Sequence, residues 1–320
     1  MKKYLIIIAS FTIMLCLGGV YAWSIIASDL IEKHGFSTAQ TQIIFGTVIA
    51  VFPVTMIFAG KMAKRMSPGI LTAFSAIFFS GGYLTAGISE GHFFWVFLGA
   101  GIFAGIGTGF GYLMSLTIPV KWFPGRKGLV TGIAAAGFGL GAIVLSALAE
   151  FVLQMDKDIF YLFRVIGIVY GAVILLFSIP MEQPAINPDY KEGGKTATLT
   201  SKLFLKLFSG MFLGTFSGLL IIGSLKIIGG QNEISNQVLV LGVSLFAVSN
   251  FSGRLFWGFL SDYTSATLNI FAALTLQAIG IFFLGYTELS GFSYLLFSVV
   301  TGFGFGGNFV LFAKETANIY

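Results

Sequence analysis

Apolar residues run in long, almost unbroken stretches along this chain, separated by short polar segments. A helix needs about 20 mainly apolar residues to cross the hydrocarbon core of a bilayer. Ten stretches approach or pass that length: roughly Tyr4–Ser28, Gln42–Gly60, Gly69–Ile88, Phe93–Pro119, Gly128–Leu153, Phe160–Pro180, Phe204–Ile228, Val238–Ser261, Leu268–Tyr286 and Phe292–Ala313. Short connections between most of them suit antiparallel neighbours. The period-two alternation of a transmembrane β-barrel is missing. The pattern predicts an all-α membrane protein, a helical bundle of ten transmembrane helices. The first stretch follows Met1-Lys2-Lys3 like a signal peptide, but it runs well past the 7–15 apolar residues of a signal core and reads as an uncleaved span.

One polar segment interrupts the pattern. Met181–Lys202 contains Pro184, Pro188 and the pair Gly193-Gly194, and it separates six spans from four. The predicted organisation is an N-terminal six-helix bundle over 1-181, a cytoplasmic linker over 182-203 and an incomplete C-terminal bundle of four helices over 204-320. The halves share landmarks. Gly105-x-Gly107-x-Gly109 in the fourth span recurs as Gly302-x-Gly304-x-Gly306 in the tenth, and Gly60 recurs as Gly258 at nearly the same offset. Small residues recur wherever helices approach closely, but the common spacing points to duplication. Duplicated bundles are typical of transporters, with the substrate site between the halves. A doubled six-span unit implies twelve spans. An eleventh is expected soon after Tyr320, so the last two of twelve are read as missing, and the 320-residue chain is expected to be unstable or inactive in reconstituted vesicles.

Composition agrees with the span count. The chain is 56% hydrophobic and 10% charged, against roughly 25% charged for a soluble domain. Water-facing domains and disorder are both excluded. The cations are unevenly placed. One set of loops and span ends holds Lys2, Lys3, Lys61, Lys64, Arg65, Lys121, Arg126, Lys127, Lys191, Lys195, Lys202, Lys206 and Lys314; the other holds Lys33, Lys157 and Lys226. By the positive-inside rule both termini are cytoplasmic, and the expected location is the inner (plasma) membrane. This topology accounts for the pI of about 9.2 and leaves no basic soluble face for nucleic acid. The expected partners are the lipid bilayer and a small carboxylate, with the chain a monomer.

Several motifs fail their structural contexts. The run from Gly105 to Tyr112 superficially matches a dinucleotide loop, but it lies inside an apolar helix rather than between a strand and a helix. Gly87-Ile88-Ser89-Glu90-Gly91 matches a nucleophile elbow, yet it sits in a short turn between spans. Gly193-Gly194-Lys195-Thr196 lacks the first glycine of a phosphate loop, because Asp189 stands there. His34 and His92 read as outer-loop residues, and Cys16 as a packed thiol. No metal site, cofactor or catalytic group is expected, so the chain is not read as an enzyme.

Charges within spans carry more information, because they are costly there and tend to be functional. Arg164, near the start of the sixth span, can snorkel outward or meet Asp156 or Asp158. Arg254 lies deeper, in the eighth span, with no acid within a helical turn. A substrate carboxylate would suit its planar guanidinium; a salt bridge to Asp262 or a bond to a carbonyl would suit it as an anchor. No Asp or Glu falls at mid-span, Glu150 being the nearest, so exchange or facilitated diffusion fits better than a carboxylate proton relay.

Taken together, these features resemble the major facilitator superfamily and, within it, the oxalate:formate antiporter family. The resemblance rests on Gly19-Val20-Tyr21-Ala22-Trp23-Ser24, on Lys121-Trp122-Phe123-Pro124-Gly125-Arg126-Lys127-Gly128, and on Asn250-x-x-Gly253-Arg254-x-x-x-Gly258-x-x-Ser261-Asp262. It implies a major-facilitator-like bundle and a secondary transporter of antiporter type for small organic anions such as oxalate or formate, working by alternating access. Arg254 would then bind the carboxylate, and Tyr21 and Trp23 would help enclose it. The family's second cation, a lysine in the eleventh span, has no counterpart here. Related monocarboxylate transporters carry an acid four residues before the arginine, where this chain has Asn250. A lactate or pyruvate permease and a transport-inactive fragment are the alternatives. Lys64 also departs from the superfamily pattern by replacing an expected Asp that the second half keeps as Asp262.

Overall fold

The computed structural model describes residues 2–155, 157–184 and 201–319. Among the described residues there is no strand, and ten helices are long and apolar enough to cross a membrane. They are α1 (Lys2–Ala22), α2 (Thr38–Met62), α3 (Pro68–Gly87), α4 (Phe93–Trp122), α5 (Pro124–Val152), α6 (Ile159–Ser178), α7 (Lys202–Ile222), α8 (Asn236–Ser261), α9 (Ala266–Tyr286) and α10 (Gly291–Ile319). Several begin where a side-chain oxygen accepts a first-turn N–H. Ser37 caps α2 in a capping box with Gln40, Ser67 caps α3 ahead of Pro68, Asp158 caps α6, Ser201 caps α7 and Ser265 caps α9. Residues 185–200 of the polar segment lie outside the described residues, as do Gly193–Thr196 and Asp156. The segment's first residues pack on the helices before it: the Trp122 indole donates to the Glu182 carbonyl at 2.9 Å, and Lys2 pairs with the Glu182 carboxylate.

The first span differs from its sequence reading. Its helix tightens at Gly18–Ala22 and then resumes over Trp23–His34, ending at Gly35 with φ +70°. Hydropathy closes this span near Ser28 because Asp29, Glu32 and Lys33 follow. The helix nevertheless continues, because Lys33 reaches back one turn to the buried Asp29 carboxylate at 2.6 Å. That hydrogen bond holds the Lys33 ammonium above the ordinary lysine range. His34 is therefore a helix-end residue rather than a loop side chain. Its ring meets Phe160 edge-on at 4.6 Å, and its Nε2 lies 3.6 Å from Asp29.

The chain divides into two compact units, Met1–Trp122 with Gly137–Ala185, and Phe123–Ala136 with Ile186–Tyr320. Inside the first unit, α4 packs between α2 and α3; inside the second, α10 packs between α8 and α9. The duplicated glycines make these approaches possible. Gly105 and Gly109 face Val51, Phe52 and Thr55 of α2, while Gly107 faces Phe79 of α3. Gly302 and Gly306 face Phe246, Ser249 and Asn250 of α8, while Gly304 faces Ala273 and Gln277 of α9. The partners thus repeat along with the glycines.

A Cβ on Gly107 would stand 2.5 Å from the Phe79 nitrogen, and one on Gly304 would stand 2.6 Å from the Ala273 oxygen. Both neighbours are backbone and cannot turn aside. We expect Gly107→Ala and Gly304→Ala each to destabilise the protein by about 1–3 kcal/mol, the usual range for overpacking. Gly46→Ala and Gly285→Ala, which have nothing within 4 Å, should not. Thermal unfolding in detergent distinguishes the two pairs.

Candidate functional site

Arg254 comes from the second half of α8, where glycines bring other backbones close. A side chain on Gly253 would collide with the Phe303 carbonyl, and one on Gly306 would lie 2.9 Å from the Arg254 nitrogen. On another side, a Cβ on Gly132 would lie 2.6 Å from the Arg254 carbonyl oxygen. The side chain held in this frame is 2% exposed. Its Nε donates to Asn250 Oδ1 at 2.9 Å, one turn earlier, and its Nη1 donates to the Ala135 carbonyl. The Phe309 ring covers it, with the guanidinium carbon 4.9 Å from the ring centroid. Asn250 is neutral, so it orients the guanidinium without adding a negative charge of its own. Asn250, the Ala135 carbonyl and the Phe309 face fix the orientation of the planar guanidinium.

Asp262 serves a different cation. Its Oδ1 accepts from Lys314 Nζ at 2.8 Å and from the Gly128 N–H at 2.8 Å, and its Oδ2 accepts from the Leu129 N–H at 2.9 Å. The carboxylate therefore sits at the start of α5, where exposed N–H groups and the helix dipole favour an anion. Lys314 also donates to the Ser261 carbonyl and to its hydroxyl. Of the two anchors weighed for Arg254, the carbonyl is present, and Asp262 pairs with Lys314 instead. Sequence reasoning missed this pair by counting Lys314 among peripheral cations. The signal available was a lysine directly after Phe309–Ala313, one long apolar run, which calls for a buried acid. In the first half the counterpart of Asp262 is Lys64, which is exposed.

Tyr21 and Trp23 belong to the first unit. Tyr21 is half-buried and meets Phe138 edge-on at 5.3 Å; Phe138 meets Tyr112 edge-on at 5.1 Å. Trp23 is buried, and its indole donates to the Thr41 carbonyl at 3.0 Å, tying the end of the first span to α2. Arg164 is half-exposed, 4.0 Å from Asp158 and stacked over Tyr161, as a snorkelling anchor would be. Among the described residues no three His, Cys, Asp or Glu side chains converge as a metal site.

Comparison with known proteins places this geometry in a family. The Major Facilitator Superfamily model matches residues 6–318. The uncharacterised MFS-type transporter YhjX of Escherichia coli (strain K12) is 27% identical over 325 residues, covering 99% of this chain and 81% of the relative. The oxalate:formate antiporter of Oxalobacter formigenes is 24% identical over 341 residues, covering 100% of this chain and 78% of the relative. Among solved structures, the major facilitator transporter FucP in its outward conformation superposes with a TM-score of 0.61 at 15% identity, covering 97% of this chain and 89% of FucP. At that identity the likeness concerns the fold.

Proposed function

The chain belongs to the Major Facilitator Superfamily, whose members are membrane transporters rather than enzymes, and we propose that within it this chain is an antiporter-type secondary carrier of small organic anions, oxalate and formate among them. The observation that carries the proposal is Arg254: a fully buried guanidinium within the apolar span α8, oriented by Asn250 and the Ala135 carbonyl and faced by Phe309. Burying a cation there is costly and usually serves a function. A carboxylate matches its planar fork with two parallel hydrogen bonds. The similarity to an oxalate:formate antiporter supports the same substrate class. Tyr21 is assigned to the wall that closes over the substrate. Trp23 is assigned to holding that wall through its bond to Thr41. The six-span bundle over 1-181 and the bundle over 204-320 are the proposed halves of the alternating-access cycle, joined by the linker over 182-203.

The test is ligand-induced stabilisation of the purified chain by oxalate, formate, lactate and pyruvate. A ligand at 100 times its Kd stabilises a protein by about 2.7 kcal/mol, a readily measured rise in Tm. Oxalate or formate should raise it most. A response confined to lactate and pyruvate would favour a monocarboxylate permease, and no response to any of the four would overturn the small-carboxylate assignment.

The proposed orientation places the N-terminus and the linker in the cytoplasm. With Cys16 replaced by Ala, Thr198→Cys should resist a membrane-impermeant thiol reagent in intact cells and react after permeabilisation. Rapid labelling of intact cells would reverse the topology.

A further inference from the structure

Where the resumed helix Trp23–His34 ends, two buried polar atoms face each other without hydrogen bonds. Asp29 is 5% exposed, and its Oδ2 pairs with Lys33 at 2.6 Å. Its Oδ1 has no hydrogen-bond partner among the described residues. His34 Nε2 lies 3.6 Å from that oxygen and is likewise buried without a partner. That separation is too long for a hydrogen bond. The His34 side chain as a whole is 22% exposed, so water reaches the ring. The ring leans on Phe160, a buried residue in the first turn of α6. The carboxylate reading uses none of these groups.

We propose that Asp29 and His34 bind one proton between them, and that this proton fastens the end of the helix against α6. A neutral imidazole has a single N–H. With that hydrogen on Nδ1, the Nε2 lone pair points at a carboxylate oxygen and repels it. A proton added at Nε2 replaces the repulsion with a charge-assisted hydrogen bond, once the two atoms close by about 0.8 Å. Imidazole is the side chain that changes charge between about pH 5 and 8. The ionisable groups on the neighbouring elements are exposed. On the same helix these are Glu32 and Lys33. The adjoining α2 carries no ionisable side chain before Lys61. Around the start of α6 stand Lys157, Asp158, Tyr161 and Arg164, with Asp158 and Arg164 4.0 Å apart. The α3–α4 turn, whose Gly91 abuts Phe160, carries Glu90 and His92. A proton held more tightly by the folded than by the unfolded chain stabilises the fold at low pH, and the gain is lost as pH rises through the titration of the imidazole.

The experiment is thermal unfolding of the full chain in detergent between about pH 5.5 and pH 8, on the wild type, His34→Gln, Asp29→Asn and Lys33→Gln. His34→Gln offers Asp29 an N–H donor at every pH but takes up no proton. On acidification the wild type should gain roughly 2–4 °C in Tm relative to His34→Gln, about a fivefold change in the folding equilibrium. Lys33→Gln should keep that gain, because Lys33 serves the other carboxylate oxygen, and Asp29→Asn should lose it. A second measurement reads the proton itself. The chain has two histidines, so a His92→Gln background leaves the ¹⁵N imidazole signals to His34. At about pH 6.5, near the midpoint of an ordinary imidazole, the ratio of imidazolium to neutral ring should be several-fold lower in Asp29→Asn. Tm curves of the wild type and His34→Gln that run parallel across the range, or an imidazolium ratio unchanged by Asp29→Asn, would overturn the proton site and leave a neutral packing contact.

Discussion

Arg254→Gln is expected to abolish tight carboxylate binding while the chain still inserts in the membrane. Losing the charged, hydrogen-bonded partner of a desolvated anion typically costs about 2–5 kcal/mol, which is roughly 30-fold or more in affinity. Arg254→Lys should fall between the two, because an ammonium keeps the charge but not the planar pair of donors. It would also lose the geometry that Asn250 and the Ala135 carbonyl impose on the guanidinium. Asn250→Ala tests that geometry separately: the charge stays, its support at Nε goes, and binding should weaken less than in Arg254→Gln. Isothermal titration with oxalate on each folded variant gives the order. If Arg254→Gln binds oxalate as the wild type does, Arg254 is an anchor to the Ala135 carbonyl and the anion-site reading fails.

The second large effect is on stability. Asp262→Ala removes the acceptor of Lys314 Nζ and of the Gly128 and Leu129 N–H groups in one step. Breaking a buried ion pair from one side typically costs about 3–5 kcal/mol, because the remaining charge is left unpaired. Lys314→Met should cost less, since the Asp262 carboxylate would keep its two bonds to the start of α5. The double variant should be more stable than the sum of the two losses, because removing both partners leaves no buried charge. Thermal unfolding of the four proteins closes the cycle, and strictly additive losses would show that the pair does not interact.

Much of this architecture is legible in the sequence, because a bilayer imposes one requirement, uninterrupted apolar length, and the ten helices meet it. The repeat is legible for a related reason: backbone contacts such as Gly107 on Phe79 and Gly304 on Ala273 leave no room for a side chain, so both halves carry glycine at the same spacing. Polar residues that find partners locally are harder to read. Hydropathy ends the first span early because it counts Asp29 and Lys33 as two charges, whereas the helix joins them into one pair. Arg254 is conspicuous because it interrupts an apolar run, but its acceptors are not, since Ala135 lies on another helix and a carbonyl leaves no mark in a sequence. Lys314 and Asp262 are far apart in the chain, and each taken alone looks like a charge at a span's end. Resemblance alone marks Tyr21 and Trp23; the packing of Tyr21 on Phe138 and the hold of Trp23 on Thr41 emerge only in the fold.

In the proposed carrier Arg254 itself touches the substrate. The most direct measurement is the dipolar coupling between ¹³C-carboxylate oxalate and ¹⁵N-arginine in the bilayer-embedded protein, compared with the same sample carrying Arg254→Lys. The expected result is a coupling of hydrogen-bond contact strength in the wild type that disappears in the variant. Oxalate that binds the wild type with no coupling to any guanidinium, or with a coupling that survives Arg254→Lys, would rule out Arg254 as the carboxylate's partner.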